Sequence, residues 1–365
     1  EEKYINKIDN IRTRKTTIYS STSNQNYINT YNNLLNNPIP NRNKFMISPS
    51  PNPFSQIILG EKYIITKQKL TLGYKLIKTK NEINLYENTN SLPLGYATNH
   101  TISLDDFKKL TYPNNTIQLL TNIVINNKEK RNISTLNEQK INYTILEQDN
   151  LKIKKENDII TINAKNNAHL KIKLDTNMNK KILFLSFQNK KLANKDLNIT
   201  INETQNKLTN KNWKYFNNNI TFHYTVENTD ILNIKISKGN YQLNQFNTYL
   251  LDYDTIKDAN KNIDTFKINK KITKGDKIQG KINITKDNSY FTISIPYDKG
   301  FKIYVNNEKI KYQKSGANFI TFPIKKGTHQ IKIIYEAPLK KISIYISIIG
   351  ILLFCLTILK ERKQK

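Results

Sequence analysis

The side chains in this 365-residue chain with the types and spacing to do chemistry are four histidines, two close carboxylate pairs and one aromatic cluster. His100, His169, His223 and His329 stand far apart in sequence, with no HExxH, no HxH pair and no cysteine beside them, so no metal set is assembled locally. Each reads as a strand or loop residue. Asp105 with Asp106, and Asp252 with Asp254, are carboxylate pairs that could do acid–base work in a glycosidase-like site, but helix capping and turn formation explain them more cheaply. A Gly-rich phosphate loop, a GxSxG elbow and a Walker pattern are all absent from the sequence. The densest aromatic cluster is NWKYFNN. Its Trp213, Tyr215 and Phe216 are the candidate carbohydrate contacts, because aromatic faces stack on sugar rings; core packing is the competing reading. No catalytic residue, metal site or cofactor site is assigned, and the cofactor is unknown.

Composition narrows the partners. Lys and Arg number 58 against 29 Asp and Glu, a formal charge of +29, which favours anionic lipid, an anionic wall polymer or nucleic acid. Lys, Asn and Ile crowd every segment together, however, as AT-rich coding produces without any partner. The lysines are scattered along strand-like runs, away from aromatics, and nucleic-acid motifs are missing, so no nucleic-acid partner is expected. Asn-x-Ser/Thr triplets recur, at Asn132 and Asn219 for example, as chance products of an Asn-rich chain. The single cysteine, Cys355, lies in an apolar run, which excludes disulfides from the rest of the chain.

That apolar run, ISIYISIIGILLFCLTIL (342–359), has Lys340 and Lys341 before it and Lys360, Arg362, Lys363 and Lys365 after it. It is long enough to cross a bilayer at about 1.5 Å per residue, with the lysines reaching the headgroups. The larger basic excess follows the span, so the positive-inside rule predicts a cytoplasmic tail (360–365) and an extracytoplasmic region 1–340 at the cell membrane. The opening EEKYINKIDNIRTRK has no initiator Met and no apolar export signal, so the chain is expected to be the C-terminal part of a larger membrane protein.

The remaining elements read as mainly β. From 27 to 53 the chain is polar and broken by Pro38, Pro40, Pro49, Pro51 and Pro53, with one short helix expected near 29–35. Strand signals follow in QIILGEKYIITKQ (56–68), YKLIKT (74–79) and INLYEN (83–88), suggesting a small meander. Ser103 with Asp106 makes a capping pattern for a helix over LDDFKKL, and Pro113 restarts a second helix over 116–123. After 150 the texture alternates in DIITINA, LKIKLD, KILFLSF, LNITIN, ITFHYTV and ILNIKIS, at the spacing of a β-sandwich. A helix over 254–263 would lead into a second strand series, with Asn306-Asn307 a tight hairpin and Gly300, Gly316 and Gly327 marking other turns. The expected organisation is therefore a mixed α/β region (1–130), a β-sandwich-like domain (131–253), a membrane-proximal β-sandwich-like domain (254–338), the transmembrane helix and the tail.

The stretch SYFTISIPYDKGFKIYVNNEKIKYQKSGANFITFPIKKGTHQIKIIYEAP (289–338), running directly into the span, resembles the C-terminal signature of the bacterial YfhO family of membrane proteins. Ser294, Ile295, Pro296, Tyr297, Asp298, Gly300, Gly327, His329, Tyr335 and Pro338 match its pattern, while Phe301 replaces the usual Trp and Asn306-Asn307 replaces Asp-Gly. LGEKYIITK (59–67) and LYENTNSLPLGYATN (85–99) likewise resemble the family's extracytoplasmic region. The resemblance implies a glycosyltransferase C-type membrane core followed by an exported β-rich region and a last helix. It implies transfer of sugar from a polyprenyl-phosphate carrier to an envelope glycopolymer such as lipoteichoic acid, with the catalytic carboxylate in an early loop that this chain lacks. Membrane lipid, the glycopolymer and the polyprenyl-phosphate sugar are thus the implied partners, and the matched motifs read as fold determinants. The alternative is a membrane-anchored carbohydrate- or polyanion-binding module without enzymatic activity.

Overall fold

The computed structural model describes residues 18–19, 23–39, 46–47, 52–126, 133–190, 195–257 and 259–363. The opening stretch, Pro40, Pro49, Pro51, Asn132 and Lys365 lie outside them.

Strands β1 (Ile18–Tyr19) and β2 (Met46–Ile47) pair with each other. Between them lies α1 (Gln25–Asn29), capped by the Asn24 side chain and continued by a π-helical turn over Thr30–Leu34. Helix α2 (Pro53–Ile58) then occupies the start of the run expected as a strand. The Asn52 side chain accepts from Phe54 N, Pro53 sits in the first turn where its missing N–H costs nothing, and every residue of the helix is buried. A short helix buried all round shows the same continuous apolar run as a buried strand. The strand begins only at β3 (Tyr63–Thr66), followed by β4 (Tyr74–Lys80) and β5 (Ile83–Asn88). Their order is β3-β5-β4, with β5 in the middle rather than in meander order.

Next come β6 (Gly95–Thr98), β7 (Thr101–Ser103), α3 (Leu104–Lys108), α4 (Asn114–Thr121) and β8 (Ile123–Ile125), with β7 and β8 parallel. Ser103 caps α3 as expected, its Oγ accepting from Asp106 N at 3.0 Å and donating to Asp106 Oδ2 at 2.8 Å.

Strands β9 (Tyr143–Glu156), β10 (Ile159–Leu174), β11 (Lys181–Asn189), β12 (Leu197–Ile201), β13 (Thr204–Leu208), β14 (Thr221–Glu227), β15 (Ile231–Ile236) and β16 (Gly239–Asp252) form one sheet in the order β13-β12-β15-β10-β16-β11-β14, with β9 along β10. Strand β10 belongs to both halves: 160–164 pair with β16 and 168–173 with β15. The two halves close over one core containing Leu183, Ile199, Phe222, Tyr224 and Tyr241. Alternation along β14 puts Phe222, Tyr224 and Val226 inward, each worth about 1.5–3 kcal/mol on burial.

Helix α5 (Asp254–Lys257) is one turn, shorter than expected. Beyond it lie β17 (Asp264–Thr265), β18 (Lys267–Ile268), β19 (Lys277–Ile284), β20 (Ser289–Pro296), β21 (Phe301–Val305), β22 (Glu308–Ile310), β23 (Gln313–Lys314), β24 (Phe319–Ile324) and β25 (Gly327–Tyr335). They form two five-stranded sheets, β17-β6-β20-β24-β23 and β18-β19-β25-β21-β22. The sheets enclose Ala97, Phe291, Ile293, Ile303, Phe322 and Ile331. Strand β6 comes from the N-terminal region, so segments 1–130 and 254–338 share a sheet. A third core joins everything: Tyr31, Phe54 and Leu119 pack with Phe184 of β11 and Phe319 of β24.

After β25 the chain turns into α6 (Lys340–Lys363), whose stretch 340–362 is long and apolar enough to cross a membrane and has none of its apolar window buried against the protein.

Candidate functional site

The loop from β13 to β14 carries the aromatic cluster, and hydrogen bonds tie its ends together. Thr209 and Asn217 clamp its ends reciprocally, Thr209 N donating to Asn217 Oδ1 at 3.2 Å and Asn217 N to Thr209 Oγ1 at 2.9 Å. Asn217 Nδ2 donates to Lys207 O at 2.8 Å, and Asn219 Nδ2 to Asn206 Oδ1 at 3.3 Å. Both asparagines are buried, so these bonds replace water that the amides would otherwise lose.

Within the loop, Trp213 and Tyr215 stand edge to face, with ring centroids 5.4 Å apart at 75°. Trp213 keeps 36% of its surface exposed, and Lys214 Nζ lies 5.8 Å from the Tyr215 ring centre. Phe216 differs from them, packing partly buried against the core of the first strand series.

Depressions lie at both ends of this loop. One, of about 410 Å³, is lined by Asp196, Lys207, Asn210, Asn212 and Trp213. Its floor is fixed by Lys207 Nζ 2.9 Å from Asp196 Oδ2 and by Asn210 N donating to Asp196 Oδ1 at 2.8 Å. Burial acts to raise the Asp196 pKa, and these hydrogen bonds outweigh it and hold the carboxyl below its ordinary value. The other, of about 340 Å³, is lined chiefly by Asn32, Asn33, Asn36, Asn218, Thr221 and His223. It forms where residues 36–39 dock on β13, with Lys207 N donating to Ile39 O at 3.0 Å.

Among the described residues, His223 is the one titratable side chain of that second depression. Its ring packs on Tyr112 with centroids 4.5 Å apart, and its Nδ1 is buried with no hydrogen-bond partner among the described residues. Burial pulls its pKa down to about 4, so at neutral pH the imidazole is uncharged, one nitrogen a donor and the other an acceptor. At the far end of the same strand, Glu227 Oε1 is buried with no hydrogen-bond partner among the described residues, and burial pushes that carboxyl up to about 8. The nearby Tyr74 hydroxyl is raised well above its ordinary value, first by burial and then by Glu227.

The other sequence candidates stay structural. Asp106 pairs with the Ser103 cap in the first turn of α3, its Oδ2 accepting from Ser103 Oγ, while Asp252 and Asp254 are exposed where β16 passes into α5. The histidines sit on separate elements: His100 beside β7, His169 on β10, and His329 on β25, where its Nε2 lies 2.8 Å from Lys325 O. Among the described residues no three His, Cys, Asp or Glu side chains converge as a metal set. The C-terminal motif builds the exit to α6. Gly300 N donates to Asp298 Oδ1 at 2.7 Å, Tyr335 packs on Phe301 at 4.9 Å, and Tyr297 packs on Tyr312 at 5.6 Å. Composition concealed the asparagine depression, because its walls come from residues 32–36 and 218–223, in a chain where asparagine is everywhere.

A β-rich body carrying one exposed helix long and apolar enough to cross a membrane is the architecture that this chain presents. The family model described as bacterial membrane protein YfhO matches residues 13–347, and the chain belongs to that family. It is 31% identical over 173 residues to "Uncharacterized protein YfhO" of Bacillus subtilis (strain 168), an alignment covering 47% of this chain and 20% of that relative. The aligned region is thus about a fifth of the relative's length. Among solved structures, a carbohydrate binding module of family 29 aligns with 31% of this chain and 90% of its own, at 8% identity and a TM-score of 0.19. A cupin 2 conserved barrel domain protein from Leptotrichia buccalis aligns with 56% of this chain and 92% of its own, at 10% identity and a TM-score of 0.13. At those scores neither likeness carries any argument about this chain.

Proposed function

We propose that this chain is the membrane-tethered, extracytoplasmic region of a YfhO-type glycosyltransferase. Sugar passes from a polyprenyl-phosphate donor to an envelope glycopolymer such as lipoteichoic acid, on a catalytic core outside this chain. Residues 1–340 face outward, 342–359 cross the bilayer and 360–365 are cytoplasmic. The reading rests on family membership together with one observation, the clamped loop that sets the exposed Trp213 and the half-buried Tyr215 beside two depressions. Trp213 and Tyr215 stack on pyranose rings, Phe216 anchors the loop, and the side chains of Asn212, Asn218 and His223, which line the depressions, meet hydroxyls. These contacts position the acceptor glycan rather than cleave or form a bond.

The test is transfer of labelled sugar from a polyprenyl-phosphate donor to lipoteichoic acid, in membranes carrying this chain alone or with its reading frame extended upstream. The expected result is activity only in the extended form, weakened by Trp213→Ala combined with Tyr215→Ala. Activity in neither form favours the second reading, a membrane-anchored carbohydrate- or polyanion-binding module. The formal charge of +29 supports that reading physically, and it requires retention of lipoteichoic acid that falls steeply with salt.

A further inference from the structure

The three-stranded sheet of β3, β4 and β5 carries a surface that a water-facing sheet should not have. Register places Tyr63, Ile65, Ile83, Leu85 and Glu87 on one face with Lys75, Lys78 and Lys80. Tyr63 is 58% exposed, Ile65 65% and Ile83 43%, and Ile77, at the bulge of β4, is 48% exposed. On the opposite face Tyr86 and Asn88 are buried against the body, while Leu76 at the β4 edge is 52% exposed. Isolated surface apolar residues need no explanation, but a contiguous apolar face rimmed by lysine marks an interaction surface. Over 61–88 the charges are Lys62, Lys67, Lys69, Lys75, Lys78 and Lys80 against Glu61, Glu82 and Glu87. Lys62 and Lys67 are in ion pairs with Glu87 and Glu82, at 3.6 and 3.5 Å, so the positive excess falls on the strand that borders the apolar face.

The position of this sheet in the fold says what covers it. Its root is tied to the end of the second sandwich from which α6 leaves. Leu92 N donates to Ile57 O at 3.0 Å, Ser294 N to Leu94 O at 2.8 Å, and Ser294 Oγ to Ile58 O at 3.1 Å. Ser294 lies near the end of β20, a few residues before β21 begins at Phe301, and Phe301 pairs with Tyr335 just before α6. The same end therefore carries both the helix and the root of the apolar, lysine-rimmed sheet.

We infer that the β3–β5–β4 sheet is a membrane-surface element, seating Tyr63, Ile65, Ile77 and Ile83 in the interface of an anionic bilayer while Lys75, Lys78 and Lys80 meet lipid headgroups. Aromatic and aliphatic side chains enter the boundary between headgroup and acyl chain, and lysine stems snorkel beside them. Two attachments, helix and sheet, hold the body at a fixed tilt over the bilayer. This inference rests on α6 crossing the membrane, and the chain supplies its own control for that reading.

The experiment uses the full chain reconstituted into phosphatidylglycerol-containing vesicles with quenchers on the lipid acyl chains. Cys355, the single native thiol, is labelled with a polarity-sensitive fluorophore to report the span. In Cys355→Ser chains, Ile65→Cys and, separately, Tyr63→Cys report the sheet, and Lys235→Cys on β15 reports a water-facing surface. Quenching is expected at Cys355, at position 65 and at position 63, with none at position 235. Triple reversal of Lys75, Lys78 and Lys80 to Glu should reduce the quenching at 63 and 65 several-fold and leave Cys355 unchanged. A quenched Cys355 label with positions 63 and 65 as water-exposed as 235 overturns the inference. Shielding at 63 and 65 that tracks protein density and ignores the lipid quencher also overturns it and assigns the face to another protein. An unquenched Cys355 label removes the span reading instead.

Discussion

At the scale of single residues, the two buried groups of β14 without partners pull stability in opposite directions with pH. Glu227 ionises near 4.5 in the unfolded chain and near 8 in the folded protein. Between those values only the unfolded state has given up its proton, so the contribution of Glu227 is whole below 4.5 and lost as pH rises through 8. His223 goes the other way, from 6.5 down to about 4, so its contribution is present above 6.5 and lost as pH falls through 4. The interval from 6.5 to 8 is left to Glu227 alone. Glu227→Gln is expected to flatten the melting temperature across that interval and to stabilise the protein at its upper end by on the order of 1–3 kcal/mol. A melting temperature that falls equally in both proteins would refute the assignment. His223 also separates stability from binding. His223→Phe keeps the ring contact with Tyr112 and removes the orphaned nitrogen. It should leave the melting temperature undiminished and weaken lipoteichoic acid retention several-fold; unchanged retention would remove His223 from the glycan site.

Among elements, local chemistry was readable wherever it was self-contained. Ser103 with Asp106 announced α3, and Asn306-Asn307 announced a hairpin that the structure builds with φ of +50° and +70° at the two asparagines. Residues 56–58 misled because a helix buried on all sides has lost the polar stripe that distinguishes it, and only Asn52-Pro53 carried the signal. Gly300 is instructive in another way. The sequence marks it as a turn glycine, for which positive φ is the ordinary reason, yet its backbone is not left-handed. Its requirement is space, since an added Cβ would sit 2.4 Å from Glu336 O and 2.8 Å from the Tyr335 ring. Gly275 is the converse, at φ +60° with nothing within 4 Å. Gly300→Ala should cost about 1–3 kcal/mol by forcing β25 away from the start of β21. Gly275→Ala should cost on the order of 1 kcal/mol, from backbone strain alone. Thermal melts of the two variants compare the causes, and a Gly300→Ala loss well below about 1 kcal/mol would contradict the steric account of Gly300.

Across the whole molecule, the alternating runs after 150 made the β-rich character plain, because each strand writes its own burial pattern. Which strands share a sheet is fixed by contacts between distant segments, and no local pattern carries it. GYAT, the sequence of β6, is a four-residue strand in a region that otherwise reads as mixed α and β, yet it lies between β17 and β20 and supplies Ala97 to their core. Residues 254–338 expressed alone would leave β20 with an unpaired edge where Tyr96 and Thr98 now pair with Thr292 and Tyr290, and would uncover Phe291 beside it. The N-terminal core extends the dependence, since Phe319 packs there with Tyr31 and Phe54. The isolated segment is therefore expected to lack a cooperative thermal transition and to associate through the open edge. Residues 52–126 joined to 259–338 by a flexible linker, which restore β6 together with α2 and α4, should recover such a transition. Circular dichroism melts and size-exclusion chromatography of the two proteins distinguish the cases. A monomeric 254–338 that melts as sharply as the joined protein would show that β6 is an attachment to an independent sandwich, and the division at 254 would then mark a true folding unit.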